Sequence, residues 1–149
     1  MYTLYKETQV ATTKQNAWAF ISNPANLNLI TPEDMAFEIR SELPDKMFEG
    51  MLVEYRVKIP LIGTQLWLSE LKHIVPGESF VDEQKIGPYK LWYHYHGLEA
   101  VSGGIKVIDR VTYAVPFGLM GKTVHALFIR RTLDRIFEYR TDRLTDLLG

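Results

Sequence analysis

The chain has no cysteine among its 149 residues, which excludes a disulfide framework, thiolate metal sites and a cysteine nucleophile together. It has no excess of one charge either. Seventeen Lys and Arg against eighteen Asp and Glu leave a net charge of −1, so there is no electrostatic platform for a polyanionic backbone and nucleic acid is not an expected partner. Long apolar runs are missing as well. The longest stretch without a charged residue, 15–32, holds four Asn, one Ser, one Thr and two Pro, which no membrane span would carry. The opening Met1-Tyr2-Thr3-Leu4-Tyr5-Lys6-Glu7 lacks the basic patch and apolar run of a secretory signal. The expectation is an untargeted, cytoplasmic chain. What is present is ordinary globular composition, 46% hydrophobic and 23% charged, enough for a single domain over 1–149 that builds its core without disulfide or structural metal.

Residues 2–11 alternate Tyr, Leu and Val with polar partners, the period of a half-buried strand. Thr12 and Gln15 have capping-box spacing, and Ala17, Trp18, Phe20 and Ile21 supply the apolar stripe of a helix. Asn23-Pro24 restarts a second short helix, with Asn23 as cap and Thr31-Pro32 as stop. Gly and Pro then punctuate six β-rich runs at 35–42, 51–59, 64–75, 79–86, 90–101 and 105–115. With the first strand these make a seven-stranded antiparallel sheet, expected to curve and leave a concave face. From 122 to 148 there is neither Gly nor Pro, and Val124, Leu127, Phe128, Leu133, Ile136, Phe137, Leu144 and Leu147 recur at helical spacing. This predicts one long terminal helix, started by the hinge Gly118-Leu119-Met120-Gly121. Arg130, Arg131, Asp134, Arg135, Glu138, Asp142 and Arg143 read as its solvated face, and Ile129, Leu133, Ile136 and Phe137 as its inner face. The fold class is therefore α+β, a helix-grip arrangement in which the sheet wraps the terminal helix and a cavity remains between them.

The segment Trp92-Tyr93-His94-Tyr95-His96-Gly97-Leu98 carries the most chemistry. Alternation puts Trp92, His94, His96 and Leu98 on one face, with the imidazoles about 6.6 Å apart along the strand. Val107, Asp109, Val111 and Tyr113 share a face of the next run, and Phe80, Asp82 and Gln84 share one of the run before. An aspartate beside an imidazole fixes its tautomer and stabilises its charged form, as a general base requires. The same pairing also satisfies a buried histidine in a purely structural network, or orients a ligand's carbonyl or hydroxyl group. Two histidines at i,i+2 with an acid nearby match zinc or iron ligand types, but no third histidine accompanies them, since His73 and His125 fall on other elements. No metal and no cofactor are expected. His125 reads as a partly exposed helix residue. The segments 43–50 and 59–63 read as ordinary loops packed by their own side chains, with gating of the cavity as the alternative. No Gly-x-Ser-x-Gly elbow or phosphate loop is present.

Three marks together resemble the SRPBCC superfamily of START-like and Bet v 1-like domains, in particular its bacterial polyketide cyclase/dehydrase-like branch. They are Phe80-Val81-Asp82-Glu83-Gln84 followed by Gly87-Pro88-Tyr89 and Trp92-x-His94-x-His96-x-Leu98; Asp109-x-Val111-x-Tyr113-x-x-Pro116-x-Gly118-x-x-Gly121; and Ile136-Phe137-Glu138-Tyr139-Arg140. The resemblance covers nearly the whole chain. It implies a deep hydrophobic cavity that binds or transports a small hydrophobic molecule, lipid, sterol-like or polyketide-like. Phe80, Asp82, Trp92, His94, His96, Leu98, Asp109, Val111, Tyr113, Ile129, Leu133, Ile136 and Phe137 are the ligand-binding candidates. The alternative is a cofactor-independent cyclase or dehydratase with His94, His96 and Asp109 as acid and base groups. Leu98 stands where many relatives have Phe.

Overall fold

A computed structural model describes residues 1–149. Strand β1 (Tyr2–Val10) leads into helix α1 (Lys14–Ile21), then two 3₁₀ turns at Pro24–Ile30 and Glu33–Met35. Strands β2 (Glu38–Ile39), β3 (Met51–Ile59), β4 (Gly63–Val75), β5 (Ser79–Ile86), β6 (Leu91–Val101) and β7 (Gly104–Ala114) follow. They form one antiparallel sheet in the order β1-β7-β6-β5-β4-β3-β2. The chain closes with helix α2 (Gly118–Val124), a π turn at His125–Ile129 and helix α3 (Arg130–Leu148). No helix is long and apolar enough to cross a membrane.

The expected seven-stranded α+β helix-grip architecture is the observed one, with local corrections. Helix α1 is capped by Thr13, whose hydroxyl accepts from the Asn16 N–H, and not by Thr12. The cap sits one residue later because a Thr–Gln spacing identifies a capping box only where the backbone turns into the helix at that Thr. The expected strand 35–42 shrinks to two residues. Met35 belongs to a 3₁₀ turn and Ala36 takes a left-handed conformation, φ 43°, which breaks the extended run before it can pair. The terminal helix starts at Gly118, the first residue of the expected hinge and helix start, and Gly121, whose bare Cα packs against the Pro116 carbonyl, continues it.

The inward residues of that helix, Gly121, His125, Ile129, Leu133 and Phe137, are separated by four steps of four. A helix of about 3.6 residues per turn cannot keep such a series on one face. The π turn takes up the surplus residue, after which Phe137, Arg140 and Leu144 follow at normal spacing. His125 is consequently buried rather than partly exposed. It stacks on Tyr2 with centroids 3.5 Å apart and its Nε2 lies 2.7 Å from the Tyr113 hydroxyl.

Three apolar clusters surround the concave side. One joins Leu4, Val111 and Tyr113 to Leu133 and Phe137 under the helix. A second joins Val10, Ile30, Leu98 and Val107 to Leu144 at its far end. A third, around Met51, Val53, Leu71 and Phe80, packs partly against the segment 43–50 through Leu43 and Met47.

Candidate functional site

The site forms where β5, β6 and β7 present consecutive inward positions to helix α3. Register pairs Phe80 with His96 and Asp82 with His94 across β5 and β6, and His96 with Asp109 across β6 and β7. Each carboxylate nevertheless bonds the imidazole diagonal to its register partner. His94 Nε2 lies 2.8 Å from Asp109 Oδ1, and His96 Nε2 lies 2.5 Å from Asp82 Oδ2. The two rings lean together, their centroids 3.7 Å apart, well inside the spacing expected along the strand. Phe80 stacks on His96 at 4.3 Å, and Trp92 and Phe137 meet His94 edge-on, so aromatic walls hold both rings.

Arg140 reaches this cluster from helix α3. Its Nε donates to Asp109 Oδ2 at 2.9 Å and its Nη2 faces His96 Nδ1 at 3.4 Å. A guanidinium has only donors, so His96 Nδ1 accepts and the ring proton sits on Nε2, donating to Asp82. Burial, reinforced by His94 and Arg140 and opposed by Asp82, pushes the His96 pKa down to about 4. Burial works against the charge of Asp109, yet the Arg140 guanidinium and the His94 hydrogen bond hold its carboxyl below the usual carboxylate range. At Asp82 burial is likewise outweighed, chiefly by the His96 hydrogen bond, and its pKa is also lowered. Asp82 and Asp109 are thus held ionised, with Arg140 and the two imidazoles as their partners.

Asp82, His94, His96 and Arg140 all line a cavity of about 180 Å³ between sheet and helix, whose remaining lining is largely apolar. Of the sequence-derived candidates, Phe80, Trp92, Leu133, Ile136 and Phe137 line it too. Leu98, Asp109, Val111, Tyr113 and Ile129 do not. Leu98 packs against Val10, Ile30 and Leu144, while Val111, Tyr113 and Ile129 belong to the core beneath the helix. Asp109 is sealed behind the histidines and Arg140 and reaches the cavity only through them. From the flanking segments, Met47 and Ile59 line the cavity, whereas Leu61 and Ile62 are exposed. Gln84 is engaged with the backbone of Tyr89.

The sequence reading assigned no role to Arg140. Its signal was present: the series Leu133, Phe137, Arg140, Leu144 places an arginine inside a buried stripe. A second group it missed is the trio on β3 and β4, where Ser69 Oγ lies 3.2 Å from the Tyr55 hydroxyl and accepts from Trp67 Nε1 at 3.1 Å. Burial, aided by the Asp82 charge, raises the Tyr55 pKa, so this cavity-facing phenol stays protonated.

Solved structures share this fold across nearly the whole chain. Protein CV1439 from Chromobacterium violaceum superposes with a TM-score of 0.75 at 11% identity, over 99% of this chain and 98% of that one. A START superfamily protein from Mycobacterium smegmatis gives 0.69 at 11% identity, covering 100% of both chains. The chain has a START-like helix-grip fold. The same START-like fold occurs in the di-domain ARO/CYC StfQ of the steffimycin biosynthetic pathway, with a TM-score of 0.72 at 12% identity over 98% of this chain and 50% of that one. No protein-family profile and no curated protein sequence matches this chain.

Proposed function

We propose that this START-like domain binds a small, mainly apolar molecule in the cavity, lipid-like or polyketide-like, and holds its polar end against Asp82, His94 and His96. The observation that carries this reading is the asymmetry of the cavity: an apolar lining that ends on one polar wall built from Asp82, His94, His96 and Arg140. Such a wall offers both donors and acceptors to a ligand's hydroxyl, enol or carbonyl group. The volume resembles the roughly 150 Å³ of an engineered cavity that holds benzene, so a ring-sized group fits inside and a longer ligand extends out of it. The fold shared with a START superfamily protein and an aromatase/cyclase supports the same reading.

Native mass spectrometry of protein purified from its host tests it. Bound mass that denaturation releases is expected, together with displacement by a lipophilic fluorescent probe. A folded protein that carries no such mass and binds no lipophilic probe would defeat the proposal.

One observation favours a catalytic reading beside the carrier. Asp109 holds His94 by its Nε2 and leaves Nδ1, which lies 3.4 Å from Asp82 Oδ2, on the cavity side. An imidazole fixed from behind by a carboxylate is the arrangement of a general base, capable of roughly 10²–10⁴-fold help to enolisation, cyclisation or dehydration. In this reading His94 and His96 meet the substrate and Asp109 is a positioning residue. His94→Gln then abolishes turnover of a cyclisable carbonyl substrate while probe binding is retained; equal loss of folding and turnover would favour a structural network, and wild-type protein that binds the probe without turnover would favour the carrier alone.

A further inference from the structure

We infer that Asp82, His94 and His96 form a binding site for a divalent transition metal of the zinc type, with Asp109 and Arg140 as its outer support. Three donor atoms, Asp82 Oδ2, His94 Nδ1 and His96 Nε2, lie within 4.8 Å of one another. Two imidazoles and one carboxylate are a donor set used by three-ligand zinc sites and by two-histidine, one-carboxylate iron sites. The third ligand comes from a different strand, β5, which is why a search along the sequence for a third histidine does not find it.

The cluster is backed from behind: Asp109 Oδ1 stands 2.8 Å from His94 Nε2, which leaves His94 Nδ1 turned to Asp82 Oδ2 at 3.4 Å, and the two carboxylates are at hand to offset a cation's charge. For His96 to ligate through Nε2, its proton moves to Nδ1, which displaces the Arg140 Nη2 donor now at 3.4 Å and turns that N–H toward Asp109 Oδ1, 3.6 Å away. Asp109 then backs both metal-binding imidazoles, the carboxylate–histidine support that orients such ligands, and Arg140 fixes Asp109 in turn. Since all three ligands line the cavity, a fourth coordination position opens toward it and suits a hydroxyl, enolate or carbonyl oxygen. The inference does not depend on what occupies the apolar part of the cavity.

The test is titration of chelator-treated full-length protein with Co²⁺ alone, read by its visible absorption, followed by displacement with Zn²⁺. One equivalent is expected, with the intense spectrum of a low-coordinate site. His94→Ala and His96→Ala should abolish it, and Asp109→Asn should weaken binding about 10–100-fold by loosening the ligands. His73→Ala should leave it unchanged. Should an alanine variant fail to fold, Asp82→Asn, which keeps the shape and removes the anionic ligand, serves in its place and should also lose the signal. Absence of Co²⁺ binding by folded wild-type protein, or binding that survives in His94→Ala, His96→Ala or Asp82→Asn, overturns the inference. Probe binding that persists without metal binding removes the metal site and leaves the apolar-ligand reading standing.

Discussion

Arg140 and Asp109 show what a single buried residue commits the rest of the molecule to. Both are nearly inaccessible, 6% and 2% exposed, so each charge depends on the other and on the two histidines rather than on water. Removing one partner of such a pair strands the other. Arg140→Met is expected to destabilise the fold by about 3–5 kcal/mol in urea denaturation, and the double variant with Asp109→Leu to lose less than the two single losses combined. Additive losses would mean that the two residues act separately. The histidines were legible at this scale because alternation along β6 assigns them a face from four residues of sequence. Arg140 was not, because a helix carrying eight other charged residues between Arg130 and Asp146 hides one inward arginine among outward ones.

Among the elements, helix α1 offers a direct check on how its start is made. Thr13 supplies the capping oxygen, so Thr13→Ala should lower stability by about 1 kcal/mol, while Thr12→Ala should leave the urea midpoint nearly unchanged. The terminal helix offers another. Leu133 is buried and also adjoins the cavity, so Leu133→Phe has empty space to enter. Reduced probe affinity with little change in melting temperature is expected; a loss of about 1–3 kcal/mol with unchanged binding would mark a fully packed position. The sequence predicted this helix from its periodicity and absence of Gly and Pro, but not its π turn. Four steps of four from Gly121 to Phe137 acquire meaning only once the sheet decides that all five residues face inward.

For the molecule as a whole, acid stability is governed first by histidines and only later by carboxylates. His96, pushed down to about 4, and His125, lowered by burial and by Arg130 and the N-terminus, are both held neutral in the fold. The unfolded chain protonates both near pH 6.5, so below that value it binds more protons than the native state and stability falls with falling pH. For His96 the window runs from about pH 6.5 to about 4, with a slope of about 1.4 kcal/mol per pH unit. Below it, Asp82 and Asp109 add their own losses, since both carboxyls are held under their usual range. Melting temperatures measured from pH 7.5 to 4 should decline across this whole window, and His96→Gln should flatten the decline. A curve that is level down to pH 4.5 in wild-type protein would contradict the neutral assignment.

Local pattern alone determined the fold class, the number of strands in the sheet and the face on which His94, His96, Asp82 and Asp109 lie. A period of two or of nearly four is written into neighbouring residues and needs no knowledge of the rest of the chain. Tertiary structure decided how far inward each residue reaches. It separated Leu98, Val111, Tyr113 and Ile129, which fill the core, from Trp92, Leu133, Ile136 and Phe137, which border the cavity. It also chose the diagonal pairings of aspartate with histidine, sent Arg140 between them and put Asp82 rather than Asp109 at the cavity wall. Periodicity reports a side chain's face. Its depth and its partners follow from strand register and from where a distant helix settles on a curved sheet, and those depend on contacts among residues far apart in the chain.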